Sequence, residues 1–477
     1  MKQISVISII LLFCAQILSA QNISLSPIFG SGMVIQQESE VKIWGWAEPG
    51  AKVNLKLSWD KAKHSAITGK NGKWEIPVIT PEASFQPLEI IVSSGRDKIV
   101  LTDVLAGDVW FLGGQSNMEM DFNGNPDQPT NDAQKIMLRA NHKGMRLFRV
   151  ADDYALYESD TIKVDGQWKK LSPESVKNFS VIGYIFGEKI YQMEKIPIGL
   201  VQSAHGASTA EAWIDRATLQ QFGEFDLDFE KRKVDMIWYP VEPTLLYNKM
   251  LKPLLPIKIK GVVWYQGEAN VSKPEQYSRL FPLMINKWRE YFEDSKLPFY
   301  YVQIAPYVYG DGSNCAELRE VQLQLMDKME NIGMAVTLDV GEEHVIHPAR
   351  KEVVGERLSY WALNKVYGHT ALGCRGPEVD KMTVKDSVVT LTFKYAPNGL
   401  SFFGKKVTGF EVAGEDKVFH PAQARVKPAF WGNEGLEVWS SEVPCPVAVR
   451  YGYSEYIDGC LFNTEGLPAS SFRTDNW

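Results

Sequence analysis

The chain has 477 residues, enough for two or three domains rather than one core. Its 45% hydrophobic and 23% charged residues are typical of a globular protein, and no apolar run is long enough for membrane insertion. A net charge of −7 without any Lys/Arg-dense block excludes nucleic acid as an expected partner.

Residues 1–20 have the pattern of a signal peptide. Lys2 supplies the positive start, Ile4 to Phe13 the apolar centre, and Leu18-Ser19-Ala20 a small-residue cleavage site before Gln21. Export follows, with a periplasmic or secreted mature protein. Four cysteines then remain, Cys315, Cys374, Cys445 and Cys460. In an oxidising compartment these permit disulfides, and Cys445 and Cys460, which flank a strand-and-turn stretch, could pair; free thiols are the equal alternative.

Residues 21–105 read as an all-β module. Val41 to Ala47, Val53 to Leu57 and Leu88 to Val92 alternate or run apolar, separated by turn signals such as Glu48-Pro49-Gly50 and Gly69-Lys70-Asn71-Gly72. A small β-sandwich fits, with packing rather than sugar binding as its expected role. Fourteen Trp and nineteen Tyr are compatible with sugar-stacking surfaces, but most are expected to fill strand-rich cores.

Over residues 106–372 the texture changes to alternating strands and helices. Strands are predicted at 109–112, 198–202, 259–265, 298–304 and 333–340, and helices at 180–193, 275–293, 315–330 and 348–366. That order implies an α/β domain, a mostly parallel sheet with helices on both faces, whose ligands sit at the carboxyl ends of the strands. Residues 373–477 return to short strands, such as Val388 to Phe393, Val407 to Val412 and Val447 to Tyr451, and read as a second β-module packed on the α/β domain.

Four stretches fall on the same predicted strand-end edge. The run Val109-Trp110-Phe111-Leu112 leads into Gly114-Gln115-Ser116-Asn117-Met118, a glycine turn that presents a serine. Ser203-Ala204-His205-Gly206-Ala207-Ser208 offers a glycine whose backbone can approach a ligand closely and aim an N–H at it. Gln266-Gly267-Glu268-Ala269-Asn270 places amide and carboxylate groups where strand gives way to loop. Glu342-Glu343-His344-Val345-Ile346-His347-Pro348 supplies a histidine.

Proline favours the first helical position, so His347 is the predicted N-cap of the helix that follows. The positive helix end would keep its imidazole neutral near pH 7 and able to take a serine proton. The bland reading is a histidine that only caps its helix. His344 and His347 also have the spacing of a metal pair, but neither a third ligand cluster nor a His-Glu-x-x-His pattern accompanies them.

Taken together, these stretches resemble the SGNH/GDSL hydrolase superfamily and, within it, the sialate O-acetylesterase family. The resemblance is carried by Gly114-Gln115-Ser116-Asn117-Met118-Glu119-Met120, Pro243 to Asn248, Trp264-Tyr265-Gln266-Gly267-Glu268-Ala269-Asn270 and Ile346-His347-Pro348. Glu211-Ala212-Trp213, Gly45 to Gly50 and the closing Asn463 to Ala469 extend it over nearly the whole mature chain. It implies an SGNH-hydrolase-like three-layer α/β/α domain and removal of O-acetyl groups from glycans through an acetyl-serine, with no metal or organic cofactor. Ser116 would be the nucleophile and His347 the base. The backbone N–H groups of Ser116 and Gly206 (or Ala207), with the side-chain amide of Gln266, would form the oxyanion hole. Asn117, Glu268, Asn270 and Ala207 are expected to face substrate.

Two departures from the family pattern stand out. Many relatives read Gly-Gly-Thr where this chain has Gly206-Ala207-Ser208, and many carry an acid where this chain has Val345 or His344. Glu343 is the expected orienting acid, with Glu342, Asp339 and Glu268 also near, and a Ser–His pair working without an acid is the alternative. Sialic acid acetyl esters are the leading substrate, and acetylated plant polysaccharides such as xylan or pectin the alternative. A non-catalytic glycan-binding relative and a lipase or thioesterase are the readings from other classes.

Overall fold

The computed structural model describes residues 23–228, 242–427 and 435–477. The expected signal peptide lies outside them. The molecule has a mixed α/β fold built on one large mixed sheet, with several further β-sheets. The strands that carry the candidate site are β1 (Asp97–Gly114), β2 (Met145–Arg149), β3 (Ile198–Ala204), β4 (Gly261–Tyr265), β5 (Phe299–Val302) and β6 (Ile332–Ala335). They lie in the order β2-β3-β1-β4-β5-β6, and every pairing among them is parallel. The order reverses direction at β1, where a crevice opens at the carboxyl ends.

Helices cover both faces of this sheet, which is why its strands run apolar rather than alternating. Trp110 of β1 meets Phe186 of helix α1 (Val181–Glu194) at 4.9 Å between ring centroids, and Phe111 meets Trp288 of helix α2 (Pro274–Tyr291) at 5.5 Å on the opposite face. The Ser180 hydroxyl caps α1 by accepting the Gly183 N–H at 3.0 Å. A side chain at Gly183 would strike Leu112, so the glycine sets how closely α1 approaches the sheet. In α2, Tyr277, Leu280, Phe281, Met284, Ile285 and Trp288 form a buried stripe at helical spacing. Trp288 also packs edge-on against Trp264 of β4 at 5.2 Å. Such pairs contribute about 0.5–1.5 kcal/mol each beyond burial, so truncating Trp288 to Ala would cost about 3–5 kcal/mol. The third site-bearing helix, α3 (Lys351–Lys365), packs on α1 through Gly355, where a Cβ would meet Ile185.

The strands predicted in the central region are present, but the one expected at 333–340 stops at Ala335, and β2 was not foreseen. β1 is 18 residues long and runs through position 105 without a break. Its first half pairs with Ser84–Ser94 and Val34–Gln36, so the amino-terminal strands and the parallel sheet share one strand. At the other end of the chain, antiparallel sheets built from residues 378–473 pack against the central region. The fully buried Arg319 anchors that seam, donating to Ser471 Oγ at 2.8 Å, Gly452 O at 3.0 Å and Ser454 O at 2.6 Å. Cys315, Cys374, Cys445 and Cys460 are all free thiols, so Cys445 and Cys460 do not pair. Among the described residues no helix is long and apolar enough to cross a membrane.

Candidate active site

Register brings three of the four stretches together. Gly114 at the end of β1 pairs with Ala204 of β3 on one side and Tyr265 of β4 on the other, so residues 115–120, 205–208 and 266–270 leave the sheet at one level. The chain can turn there because Gly114 takes φ +133°, and any Cβ would lie 2.1 Å from the Tyr265 carbonyl oxygen. Ser116 then opens a single helical turn, Ser116–Glu119, and as its first residue has no intrahelical acceptor for its own N–H.

His347 arrives from the loop after β6. Its Nε2 lies 2.7 Å from Ser116 Oγ, across 231 positions of sequence. Its Nδ1 is hydrogen-bonded to the side-chain carbonyl of Gln128, with Asn125 Nδ2 at 3.4 Å. A carbonyl oxygen only accepts, so Nδ1 carries the proton and the Nε2 lone pair faces the Ser116 hydroxyl. Burial, reinforced by the Lys351 cation, lowers the His347 pKa to about 4. The imidazole is therefore a free base at neutral pH.

That neutrality was expected for a different reason. The helix begins at Lys351 with Arg350 as its N-cap, so His347 is not the cap and stands three residues outside. Burial does what the helix end was expected to do.

The orienting group also differs from expectation. Glu343 is exposed, and its backbone carbonyl accepts the Val308 N–H at 3.0 Å; no contact joins it to His347 among the described residues. Asp339 is engaged by Arg357 at 2.7 and 2.8 Å, and Glu342 accepts the Ala349 N–H at 2.8 Å. The side-chain carbonyl of Gln128 stands where an acid was expected; Asn125 Nδ2, itself a donor, cannot accept from the protonated Nδ1. No sequence signal marks this loop, since Asn125-Pro126-Asp127-Gln128-Pro129 reads as an ordinary polar turn.

Several residues expected to face substrate form the support beneath the pair. Asn117 is buried; its Nδ2 donates to Glu268 Oε1 at 2.6 Å and to the Ile346 carbonyl at 3.1 Å, while its Oδ1 accepts from Lys351 Nζ. The residue next to the serine thus holds the residue next to the histidine. Asn270 is buried between the Ala210 N–H at 3.0 Å and Glu211 Oε2 at 2.9 Å. Gln266 is fully buried, and its Nε2 donates to Ser208 O at 3.2 Å and Asn270 Oδ1 at 2.6 Å, which leaves it no spare N–H for an oxyanion. Ala207 is exposed at φ +58°, the left-handed region that glycine adopts freely and that costs alanine about 1 kcal/mol.

Lys351 is buried on the first turn of α3, and desolvation lowers its pKa to about 7 against the opposing pull of Glu268 and Glu342. Burial raises the pKa of Glu268 in turn. The open face beside Ser116 is a cleft of about 250 Å³ walled by Glu119, Met120, Asp121, Asn123, Asn125 and Arg149. Glu119 stands three residues after the serine, on the same helical turn, and Arg149 ends β2. Both were missed in the sequence. The helical i, i+3 spacing could have flagged Glu119.

A serine hydroxyl and a neutral imidazole at hydrogen-bond distance beside a polar cleft are groups that ester cleavage can use. Comparison with known proteins agrees. Residues 106–363 match the family "Carbohydrate esterase, sialic acid-specific acetylesterase". Sialate O-acetylesterases from Pongo abelii and Homo sapiens are each 30% identical over 387 residues, covering 73% of this chain and 72% of theirs. A solved carbohydrate acetylesterase from Xanthomonas citri is 32% identical with a TM-score of 0.84, covering 95% of this chain and all of that one. The chain belongs to the family of sialic acid-specific carbohydrate esterases and is a carbohydrate O-acetylesterase.

Proposed function

We propose that the protein is a serine esterase that removes O-acetyl groups from sialic acids through an acetyl-serine intermediate, in the periplasm or outside the cell. The observation that carries the mechanism is the 2.7 Å hydrogen bond from Ser116 Oγ to His347 Nε2. In this reading His347 takes the hydroxyl proton as Ser116 Oγ bonds to the acetyl carbon. The Ser116 and Gly206 N–H groups receive the oxyanion, each contributing about 3 kcal/mol. Collapse breaks the bond to the sugar oxygen, which His347 protonates from Nε2. Water then attacks the acetyl-serine with His347 again as base, releasing acetate.

Sialic acid as the sugar rests on the family description and on the names of the relatives at 30% identity. A second reading, esters of neutral polysaccharides, is favoured by one feature: the cleft presents the carboxylates of Glu119 and Asp121 against the single cation of Arg149. Such a wall would repel a sialate carboxylate. Acetate release from O-acetylated sialic acids and from acetylated xylan separates the two readings; pectin fragments, whose galacturonate units are anionic, should be rejected together with sialate under the second. Hydrolysis of p-nitrophenyl acetate by wild type but not by Ser116→Ala is expected from the mechanism. Equal activity in both would sink it.

A further inference from the structure

The Gly206 N–H, one of the two backbone donors in that mechanism, is already taken. Glu119 Oε2 accepts it at 2.7 Å, while Glu119 Oε1 lies 3.4 Å from Arg149 Nη2. A Cβ built on Gly206 would lie 3.4 Å from Glu119 Oε2 and 3.7 Å from Ser116 Cβ, so Gly206 is close to both side chains, and Glu119 and Ser116 line the same cleft. One N–H cannot serve a carboxylate and a developing oxyanion together.

We propose that Glu119 is a gate on the oxyanion hole, whose carboxylate must be displaced from Gly206, towards Arg149, before an acetyl ester can bind productively. The inference rests on the acetyl-serine reading and extends it with a residue that reading does not use.

The surroundings make the gate sensitive to protonation. Glu119 is partly buried, and the charges around it are Asp152 and Asp121, which oppose its ionisation, and Arg149, which favours it. Burial first, then Asp152, pushes its pKa up to about 7. Above that pH the ionised group makes the charge-assisted, stronger bond to Gly206. Below it the neutral acid competes less well with substrate. Only molecules with the gate displaced bind ester productively, so apparent affinity scales with the displaced fraction. KM should therefore rise as pH climbs through 7. His347, with its pKa at about 4, is already neutral across that range. Lys351 titrates near 7 too, but it bonds to Asn117 rather than to Glu119.

The test compares wild type with Glu119→Gln, which keeps size and removes charge, on p-nitrophenyl acetate from pH 6 to 9. The gate predicts that kcat/KM at pH 8.5 increases about threefold or more in the variant, through KM, and that the alkaline rise in KM disappears. A variant that keeps the wild-type rise in KM, or that loses kcat without a change in KM, overturns it. A second measurement does not depend on turnover. In Ser116→Ala protein with glycine-selective ¹⁵N labelling, the Gly206 amide signal should titrate with a midpoint near 7, and this titration should vanish when Glu119→Gln is added. A Gly206 signal indifferent to pH in that window also overturns the gate. Loss of the acetyl-serine reading would appear separately, as activity surviving Ser116→Ala.

Discussion

Gln128 offers its side-chain carbonyl to Nδ1 of His347 across 219 positions of sequence, in the place where serine hydrolases commonly hold a carboxylate. An amide can fix the tautomer and the ring plane as an acid does, but it supplies no charge to stabilise the imidazolium formed during attack. Gln128→Ala removes the partner of a half-buried ring nitrogen. The loss of about 1–3 kcal/mol corresponds to a fall in kcat of roughly 5- to 160-fold. Gln128→Glu should keep the geometry while raising the His347 pKa, because a nearby anion favours the charged ring. Its signature is an acid limb of kcat/KM displaced to higher pH.

The wild-type pH profile follows from the same ring. In the proposed mechanism His347 acts only as free base, and its pKa is lowered to about 4, so kcat/KM should climb as pH rises through 4 and hold a plateau from about one unit above until the rise in KM near 7. Lys351 is the second cause of that depression, after burial. Lys351→Met should shift the acid limb to higher pH by less than the whole depression, since burial remains. An unmoved limb would show that the cation does not act on His347.

Asn117 tests the support beneath the pair. Asn117→Ala leaves Glu268 Oε1 and Lys351 Nζ without their buried partner and frees the Ile346 carbonyl. Each orphaned group is worth about 1–3 kcal/mol, so the melting temperature should drop by several degrees. kcat should fall as well, because the loop carrying His347 loses its tie to the serine turn. A variant with wild-type melting and activity would show the tie to be idle.

Gly114 is the least replaceable position. Its φ of +133° and the 2.1 Å approach of a Cβ to the Tyr265 carbonyl oxygen leave alanine no room. Gly114→Ala should lose at least about 3 kcal/mol in urea unfolding, or fail to accumulate as folded protein. Gly223→Ala is the control: its φ is +79°, but nothing lies near its Cβ, so only backbone strain of about 1–2 kcal/mol is expected.

The sequence made the strand-end motifs legible because apolar runs such as Val109 to Leu112 and Gly261 to Tyr265 end at glycines, and parallel strands buried on both faces leave that mark. Ser116 and His347 followed from it. Lys351 stayed hidden, since a lysine early in a helix ordinarily points to solvent and only packing reveals that this one is buried. Pro348 misled, because the favoured first-turn position was not where the helix begins. Gln128 lies in a loop without periodicity, and only tertiary approach gives it a partner. Gln266, Asn117 and Asn270 were found as residues but assigned outward; their hydrogen bonds turn inward to hold the turns together.

The 18-residue strand that delivers Ser116 has a consequence for dissecting the molecule. A polypeptide beginning at residue 106 would contain every group in the cleft, yet it would cut that strand midway and strip the partners of its upstream half. Ser116 would then hang from a frayed end. The seating of Ser116 is thereby tied to the integrity of a β-region that lines no part of the cleft.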